Sequence, residues 1–545
     1  MTNLIPRTEH LSPTAVGMAR HLVSLREDVV VDRQGADLVL QHRWGSHVVR
    51  DASDGLTVAV ERLTFGPVFA ENVLDLVITA ADDPLPEITR MQSLVDGLQF
   101  LFVHSVELDS VILADVVPTS NSARFAGFAG PVRTADHESV SLSRFSYLHQ
   151  VDGVLTLENP LSRYRARLYD PLLTALLAAG ARPRSVAELV AIVPAPVRAG
   201  ARAVLDLLLA AGLLESANTP RPEAEQTRLR QWGFHDLLFH ARSRSGRHDG
   251  EIGATFRFTG EIEHEKPVRE LPEGPVIDLR RPDFADIVGA DPTLTEVLER
   301  RASIRTPGED PLTIGQLAEL LYRVGRVRAV YGPAPEQQMP YQGVDKPYPS
   351  GGGAGDLDIW LTANRCAGLA RGMYYYDPAG HRLVQVNTAE ADIDAMLGVA
   401  SISAGNAAAP DVLLTITSRF QRLGWKYSGI PYATTLKHVG VLYQTLYLVS
   451  TAMNLAPCGL GVGDIELSTR AFGLDWERES SVGDFMISSA PAGTDRGRHQ
   501  SQDGPGWHTY NSPTWRATTP GTATISAVIR DAATIGIVTR AEERS

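Results

Sequence analysis

The chain has 545 residues, 51 Lys and Arg against 64 Asp and Glu, and a formal net charge of −13 at pH 7. This length predicts two or three domains, and the acidic balance disfavours a broad nucleic-acid or anionic-membrane surface. The first residues lack a signal-peptide pattern, no apolar run reaches the ~20 residues that span a bilayer, and Cys366 and Cys458 are the only cysteines. We therefore expect a cytoplasmic protein with no metal site, no membrane segment and no nucleic-acid partner.

The first stretch, residues 1–135, has the pattern of short strands followed by a helix. EDVVVDR and ADLVLQHR alternate as strands do. Apolar side chains then recur at helical spacing at Ile88, Met91, Leu94 and Leu98. Residues 136–217 continue with a strand, three helices and a GLLE exit, which is typical of a small winged-helix domain. The first stretch is compatible with a divergent copy of the same domain.

A segment rich in Pro, Asn and Glu, residues 218–228, predicts a linker to a C-terminal domain, residues 229–545. In this domain GMYYYDPAGHRLVQV predicts a hairpin, and DVLLTITS predicts a strand in the centre of a sheet. From Leu436 to Leu455 the sequence is apolar around most of a helix, which predicts burial in a core or a subunit interface. Long helices mixed with apolar strands indicate an α+β or three-layer α/β domain.

Three short motifs could carry chemistry. In RRASIR the side chains of Arg301, Ser303 and Arg305 alternate, so an extended backbone points all three the same way, as a phosphate site needs; a solvated basic edge is the alternative. YPSGGGAG and CGLGVGD fit neither a phosphate-binding loop nor a dinucleotide fingerprint, and each alone is more typical of a turn. In WKY, Lys426 and Tyr427 could simply be amphipathic side chains at a helix approach.

The order of these motifs is more informative than any one of them. WGFHDLLFHARSRSGR is followed along the chain by RRASIR, YPSGGGAG, WKY, LKHVGVLYQ and CGLGVGD. In this order the chain, from about residue 229 to 535, resembles the SagB-type dehydrogenases. These form a branch of the FMN-dependent nitroreductase superfamily, and they oxidise thiazoline and oxazoline rings in ribosomally made peptides.

The resemblance implies an α+β fold: a nitroreductase-like three-layer FMN-binding domain preceded by one or two winged-helix-like peptide-clamp domains. FMN is expected at a homodimer interface. The residues that match the family's FMN-binding positions are Arg301, Ser303, Arg305, Ser350, Gly351, Gly352, Gln444, Gly459 and Gly461. The implied partners are an azoline-containing precursor peptide, whose leader the N-terminal half would bind, and a cyclodehydratase.

Lys426 and Tyr427 match the Lys-Tyr pair that azoline-oxidising members carry and generic nitroreductases do not. Aromatising an azoline ring removes a hydride, which a flavin accepts, and a proton, which needs a positioned base. A lysine can be that base only when neutral, and burial beside cationic or apolar groups can lower its pKa to about 7–8. Which of the two residues takes the proton is left open at this point.

Two other functions compete with this interpretation. One is a generic reductase of nitro compounds or quinones that uses NAD(P)H, and the other is a non-catalytic scaffold of a peptide-modifying complex. The Lys-Tyr pair and the N-terminal domains disfavour the first, and the intact motifs disfavour the second. Residues 494–519, which are unusually rich in Gly, Pro, Ser and Thr, depart from the family pattern and predict a lid or a disordered insertion.

Overall fold

A computed structural model describes residues 17–80, 83–125, 130–217 and 223–493. The described residues up to 291 and from 302 to 491 form one compact unit, and residues 292–301 belong to a second. Residues 494–519, with the insertion predicted there, lie outside the described residues. No helix among the described residues is long and apolar enough to cross a membrane.

In the N-terminal part the same series of elements, three strands followed by three helices, occurs twice. The elements of its first half are β1 (Ala19–Leu25), β2 (Val30–Gln34), β3 (Asp37–His42), β4 (Gly45–Val49), α1 (Asp54–Thr64), α2 (Ala70–Thr79), α3 (Pro84–Gly97), β5 (Phe102–Leu108) and β6 (Val111–Pro118). Those of the second half are β7 (Ser139–Leu142), β8 (Tyr147–Val151), β9 (Val154–Glu158), β10 (Tyr164–Leu168), α4 (Leu172–Ala179), β11 (Arg184–Ser185), α5 (Val186–Ile192), α6 (Arg198–Ala210) and β12 (Leu214–Ser216). The strands β2–β4 precede α1–α3, and β8–β10 precede α4–α6. The winged-helix assignment stays a prediction.

Strands from both halves share one sheet, in the order β1-β5-β6-β10-β9-β8. The two halves join where β10 pairs with β6, with Ala166 opposite Val116. One apolar core accordingly combines α4–α6 with β5, β6 and β10. The boundary predicted at residue 135 therefore separates segments that pair with each other.

The predicted linker differs in the structure. Residues 218–222 lie outside the described residues, and α7 (Glu223–Arg230) occupies the rest of that segment and is followed by α8 (Phe234–Arg242). EAEQTRLR forms a helix because it holds strong helix formers and neither Gly nor Pro.

The C-terminal domain is built on a seven-stranded antiparallel sheet. Its elements up to the middle of the sheet are β13 (Gly253–Ala254), β14 (Val276–Asp278), α9 (Phe284–Ala290), α10 (Leu294–Arg300), β15 (Leu312–Thr313), α11 (Ile314–Gly325), β16 (Ala329–Tyr331), β17 (Gly343–Asp345), β18 (Leu357–Ala363), β19 (Cys366–Ala367), β20 (Gly372–Asp377) and β21 (Arg382–Asn387). The remaining elements are α12 (Glu390–Ser403), β22 (Val412–Arg419), α13 (Gln421–Gly424), β23 (Tyr427–Ser428), α14 (Pro431–Ala452), β24 (Leu455–Leu460), α15 (Ile465–Phe472) and β25 (Glu479–Ser489). The sheet order is β14-β21-β20-β18-β22-β25-β24, with the predicted hairpin as β20 and β21 and the predicted central strand as β22.

Helices cover both faces of this sheet. On one face α11 and α14 pack against Ile359 and Leu361, and on the other α12 and α15 pack against Trp360. Successive residues of β18 thus alternate between the two helical layers, as strand geometry requires. The predicted three-layer α+β architecture is confirmed.

Helix α14 has one buried and one exposed side. His438, Val439 and Leu442 are buried in the domain, whereas Tyr432, Leu436, Gly440 and Gln444 recur every four residues on an exposed face. Tyr432 and Leu436 are 46% and 41% exposed and lie one turn apart, so this face presents two neighbouring apolar side chains. Burial of this face in a homodimer stays a prediction.

Candidate active site

A tight glycine turn, Gly351–Gly353, precedes β18 and faces α14. Gly352 and Gly353 have φ angles of +60° and +65°, which side chains other than glycine rarely adopt. The amide of Gly351 donates to Nε2 of His438 at 2.7 Å, and the amide of Gly355 donates to Ser350 Oγ at 3.1 Å. A Cβ at Gly352 would overlap the amine of Lys426. The three predicted residues of this stretch therefore form one turn, pressed against Lys426.

Lys426 is 5% exposed, and its amine lies beside the rings of Tyr341 and Tyr427. Nζ donates to the hydroxyl of Tyr341 and to the carbonyl of Gly352, the latter at 3.4 Å. It lies 4.2 Å from the ring centroid of Tyr341 and 5.0 Å from that of Tyr427. Burial first, and then the cation of Arg422, lower the pKa of Lys426 to about 8. An amine in this state can exchange a proton near neutral pH.

Tyr427 follows at the start of β23 and is half-buried. Burial raises the pKa of its phenol, so the hydroxyl keeps its proton at neutral pH. In this resting state Tyr427 can donate a hydrogen bond, whereas Lys426 has a pKa that allows it to be neutral. The geometry brings the predicted pair together at the glycine turn, and the roles of the two residues stay a proposal.

Tyr341 is a site residue that the sequence interpretation missed. Its hydroxyl accepts from Lys426 and donates to Gly352 O at 2.8 Å. Burial raises the pKa of Tyr341, and Tyr427 and Tyr331 raise it further. Tyr341 lies in a loop 85 residues before Lys426, and no motif or periodicity marks it.

Arg422 is a second missed residue, and its side chain is fully buried. Its guanidinium donates to Ala354 O at 2.8 Å, to Gln342 O at 2.9 Å and to Glu265 O. The nitrogen that donates to Glu265 O, Nη1, also lies 3.0 Å from Nδ1 of His264. Arg422 thus connects the glycine turn, the Tyr341 loop and the segment around Glu265. Burial and then Arg419 lower its pKa to about 10, so it remains a cation at neutral pH.

His438 and Asp356 form a buried pair behind the glycine turn. His438 Nδ1 and Asp356 Oδ1 are 2.6 Å apart. Because Nε2 of His438 accepts from Gly351, Nδ1 carries the proton that Asp356 accepts. Burial alone would raise the pKa of the Asp356 carboxyl. The hydrogen bonds that the carboxylate accepts, first of all that from His438, outweigh burial and lower this pKa. The sequence interpretation quoted this histidine in LKHVGVLYQ and assigned it no role.

Ser303, Arg305 and Gly459 meet at a second place on α14. Ser303 Oγ lies 2.8 Å from the hydroxyl of Tyr447, to which the amide of Gly459 also donates at 2.8 Å. Burial raises the pKa of the Cys458 thiol, and Arg305 and Ser303, which both bond to the thiol, oppose this effect. We call Ser303, Arg305, Tyr447, Cys458 and Gly459 the Ser303 cluster. Tyr447 is its missed member.

The remaining predicted residues are Arg301, Gln444 and Gly461. Arg301 is the C-cap of α10 in the second unit, Gln444 lies on the exposed face of α14, and Gly461 follows β24 with open space beside it. His438 lies behind the glycine turn, and Tyr447 belongs to the Ser303 cluster. The two residues are nine positions apart on α14, so the glycine turn and the Ser303 cluster are about 13 Å apart along the helix axis. A role of Arg301, Gln444 and Gly461 in cofactor binding stays a prediction.

Two protein families match this chain. Residues 140–249 match the family of the cyanobactin oxidase ThcOx, and residues 298–487 match the nitroreductase family. A Methanocaldococcus jannaschii protein named as a nitroreductase is 25% identical over 188 residues, which are 34% of this chain and 85% of that protein. The predicted family resemblance is confirmed by this combination of domains.

Solved structures with similar chains include a Ralstonia eutropha nitroreductase. It is 21% identical, has a TM-score of 0.32 and covers 41% of this chain and 97% of its own. Another is the Escherichia coli microcin synthetase McbBCD complex with truncated pro-MccB17 bound. A chain of that complex is 19% identical, with a TM-score of 0.31, and covers 49% of this chain and 94% of its own.

Proposed function

We propose that this oxidoreductase, which joins a ThcOx-type segment to a nitroreductase-family domain, is an FMN-dependent dehydrogenase. Its substrate would be a precursor peptide with thiazoline or oxazoline rings, and its product the thiazole or oxazole. The observation that carries the proposal is the buried amine of Lys426, whose pKa is lowered to about 8 beside Tyr427 and the glycine turn. A nitroreductase that takes its electrons from NAD(P)H does not need such a base, because a nitro group gains protons when it is reduced.

Ring oxidation removes two electrons and two hydrogens from neighbouring ring atoms. FMN, when bound, supplies the acceptor for the hydride. Neutral Lys426 takes the remaining proton, and the ammonium that forms is held by Tyr341 and Gly352 O. The Tyr427 hydroxyl, which stays protonated, donates a hydrogen bond that orients the azoline ring. The glycine turn lets the Lys426 amine and the Tyr331 hydroxyl lie against its backbone, because a side chain at Gly352 or Gly353 would overlap them.

The Ser303 cluster fits the phosphate of FMN. The guanidinium of Arg305 and the hydroxyl of Ser303 come together at Cys458, and both are donor types that bind phosphate well. Gly461, with open space beside it, lets a ligand approach the backbone. Arg301 and Gln444 complete the proposed set. We propose, as the family resemblance implies, that each flavin site uses residues of both copies of a homodimer, and the exposed face of α14 with Tyr432 and Leu436 offers a surface for that contact.

The remaining partners follow from the substrate. Azolines arise by cyclodehydration of Cys, Ser or Thr in a peptide, so a cyclodehydratase must act first. We propose that the N-terminal part binds the leader of the same precursor peptide. Extended peptides can be bound as an additional strand at a sheet edge, and the outer edge of β8 is unpaired among the described strands.

The proposed function predicts loss of two hydrogens per azoline ring. The purified protein with FMN should convert a peptide in which the rings are already formed, and mass spectrometry should record the loss. A peptide with uncyclised Cys or Ser residues is the control and should be unchanged. If the protein oxidises NAD(P)H with a nitro compound or a quinone and leaves azolines intact, the generic reductase is the correct function.

A second prediction concerns Tyr447. Tyr447→Phe removes the hydroxyl that joins Ser303 to Gly459, and we expect FMN to bind about three- to tenfold more weakly, the worth of about one hydrogen bond. FMN released on denaturation and equilibrium dialysis both measure this change. Tyr443→Phe is the matched control, because that hydroxyl, one turn earlier, donates to Leu460 O and Asp484 O. Equal affinity in the two variants would remove Tyr447 from the proposed site.

A further inference from the structure

The segment after Asp249 runs along β23, which directly follows Lys426. In the short ladder of β13 and β23, Gly253 lies opposite Ser428 and Ala254 opposite Tyr427. The amides of Thr255 and Phe256 both donate to the carbonyl of Lys426, at 3.1 and 3.2 Å. The hydroxyls of Thr255 and Ser428 are 2.7 Å apart. The backbone of Lys426, Tyr427 and Ser428 is therefore bonded to residues 253–256.

Three arginines of the N-terminal part hold Asp249 itself. Its carboxylate is 5% exposed and lies 3.1 Å from Arg26, 3.3 Å from Arg43 and 2.6 Å from Arg165. Arg26 follows β1, Arg43 lies between β3 and β4, and Arg165 is on β10. Burial raises the pKa of Asp249, but the nearby arginines, first Arg165 and then Arg26, outweigh burial and lower it.

Only a short segment of chain connects Asp249 to the residues that contact Lys426 and Tyr427. Asp249 and Gly253 are four residues apart, so the chain between them spans at most about 14 Å. Two neighbouring contacts hold the same region to the N-terminal sheet: Ser120 Oγ donates to Gly246 O at 2.8 Å, and Arg242 pairs with Glu158 at 2.8 Å. The N-terminal sheet is therefore connected through residues 242–256 to Lys426 and to β23, which follows it.

We infer that Asp249 is a positioning residue: its ion pairs with Arg26, Arg43 and Arg165 place residues 253–256, and these residues place Lys426 and Tyr427. The inference deepens the proposed function, on which it rests. The N-terminal part then has a second task besides peptide binding, because the catalytic pair is held in place through it. Loss of the N-terminal part should therefore lower turnover as well as weaken substrate binding.

Two arginines on the same strand allow a matched test. Arg165 and Arg167 both lie on β10 and are 27% and 28% exposed, but Arg165 pairs with Asp249 and Arg167 with Asp115. We expect Arg165→Gln to lower kcat for azoline oxidation about 10- to 100-fold, the effect of a small misplacement of reacting groups, with KM largely unchanged. Arg167→Gln should keep kcat within about twofold. Arg165→Lys, which keeps the charge, should recover most of the rate.

Hydrogen exchange gives a readout that does not depend on the reaction. The peptide that contains residues 425–428 should exchange faster in Arg165→Gln than in the wild type, and should be unchanged in Arg167→Gln. Equal exchange in both variants would overturn the inference, even if the protein proves to oxidise another substrate. A lowered kcat of equal size in both variants would overturn it as well. If the wild type leaves azolines intact but the difference in exchange persists, the proposed reaction is wrong. The inference that the ion pairs of Asp249 position Lys426 and Tyr427 would then still hold.

Discussion

Replacement of Lys426 by methionine is expected to lower the rate of azoline oxidation by about 10²–10⁴-fold, the usual contribution of a positioned base. Methionine keeps most of the buried aliphatic length and removes the amine that contacts Tyr341 and Gly352 O. FMN content and dimer size should stay at the wild-type level. Lys426→Arg should be nearly as slow, because a guanidinium stays protonated and accepts no proton. Lys266→Met, an exposed position in the loop before β14, is the control and should be as active as the wild type.

The same prediction fixes the direction of the pH dependence. The pKa of Lys426 is lowered to about 8, and only the neutral amine accepts a proton. Turnover of the wild type should therefore rise as the pH rises through about 8 and level off above it. In Lys426→Met this rise should be absent. A Lys426→Met variant that keeps the wild-type rate and pH profile would assign the lysine to packing.

Tyr427→Phe separates the two members of the pair. Burial raises the pKa of Tyr427, so its phenolate is scarce at neutral pH, and we expect the hydroxyl to orient the ring. Its loss should then be milder than the loss of the Lys426 amine. The opposite order of effects would make Tyr427 the base.

Local patterns predicted strands of the sheet on which the site is built. The continuous apolar run of DVLLTITS belongs to β22, whose neighbours β18 and β25 cover both of its edges, and the turn residues of GMYYYDPAGHRLVQV mark the hairpin of β20 and β21. These predictions succeed because strand period and turn chemistry are properties of neighbouring residues. The family resemblance pointed to Ser303, Gly351, Gly459 and Lys426, and their roles stay predictions.

The contacts between these elements were not predictable in the same way. Tyr341 and Arg422 have no local signal, since the first lies in an irregular loop and nothing in the sequence around the second distinguishes it from the other arginines. The pairing of β6 with β10 joins two segments that were predicted to be separate domains. The ion pairs of Asp249 connect residues as much as 223 positions apart. Each of these contacts depends on which distant segment lies opposite, and periodicity carries no such information.

The side chain of Arg422 should be the least replaceable one around the site. In Arg422→Met the carbonyls of Ala354, Gln342 and Glu265 lose their buried donor. An unsatisfied buried acceptor costs about 1–3 kcal/mol, so we expect a loss of about 3 kcal/mol or more and a melting temperature lower by roughly 6–12 °C. Arg470→Met is the control: Arg470 is 63% exposed and pairs only with Asp392 among the described residues, so its loss should change stability by less than about 1 kcal/mol.

Arg422 also predicts a shift in the pH profile that stability alone would not produce. Its cation is one of the two causes that lower the pKa of Lys426, and burial is the other. Removing the cation and loosening the glycine turn both raise the pKa of Lys426 toward its ordinary value. The pH at which turnover is half-maximal should therefore move upward from about 8 in Arg422→Met. Arg422→Lys keeps the charge, but a single nitrogen cannot bond to three segments. We therefore expect a lowered melting temperature and a smaller upward shift of the pH of half-maximal turnover than in Arg422→Met. An Arg422→Met variant with the wild-type midpoint would mean that burial alone sets the state of the proposed base.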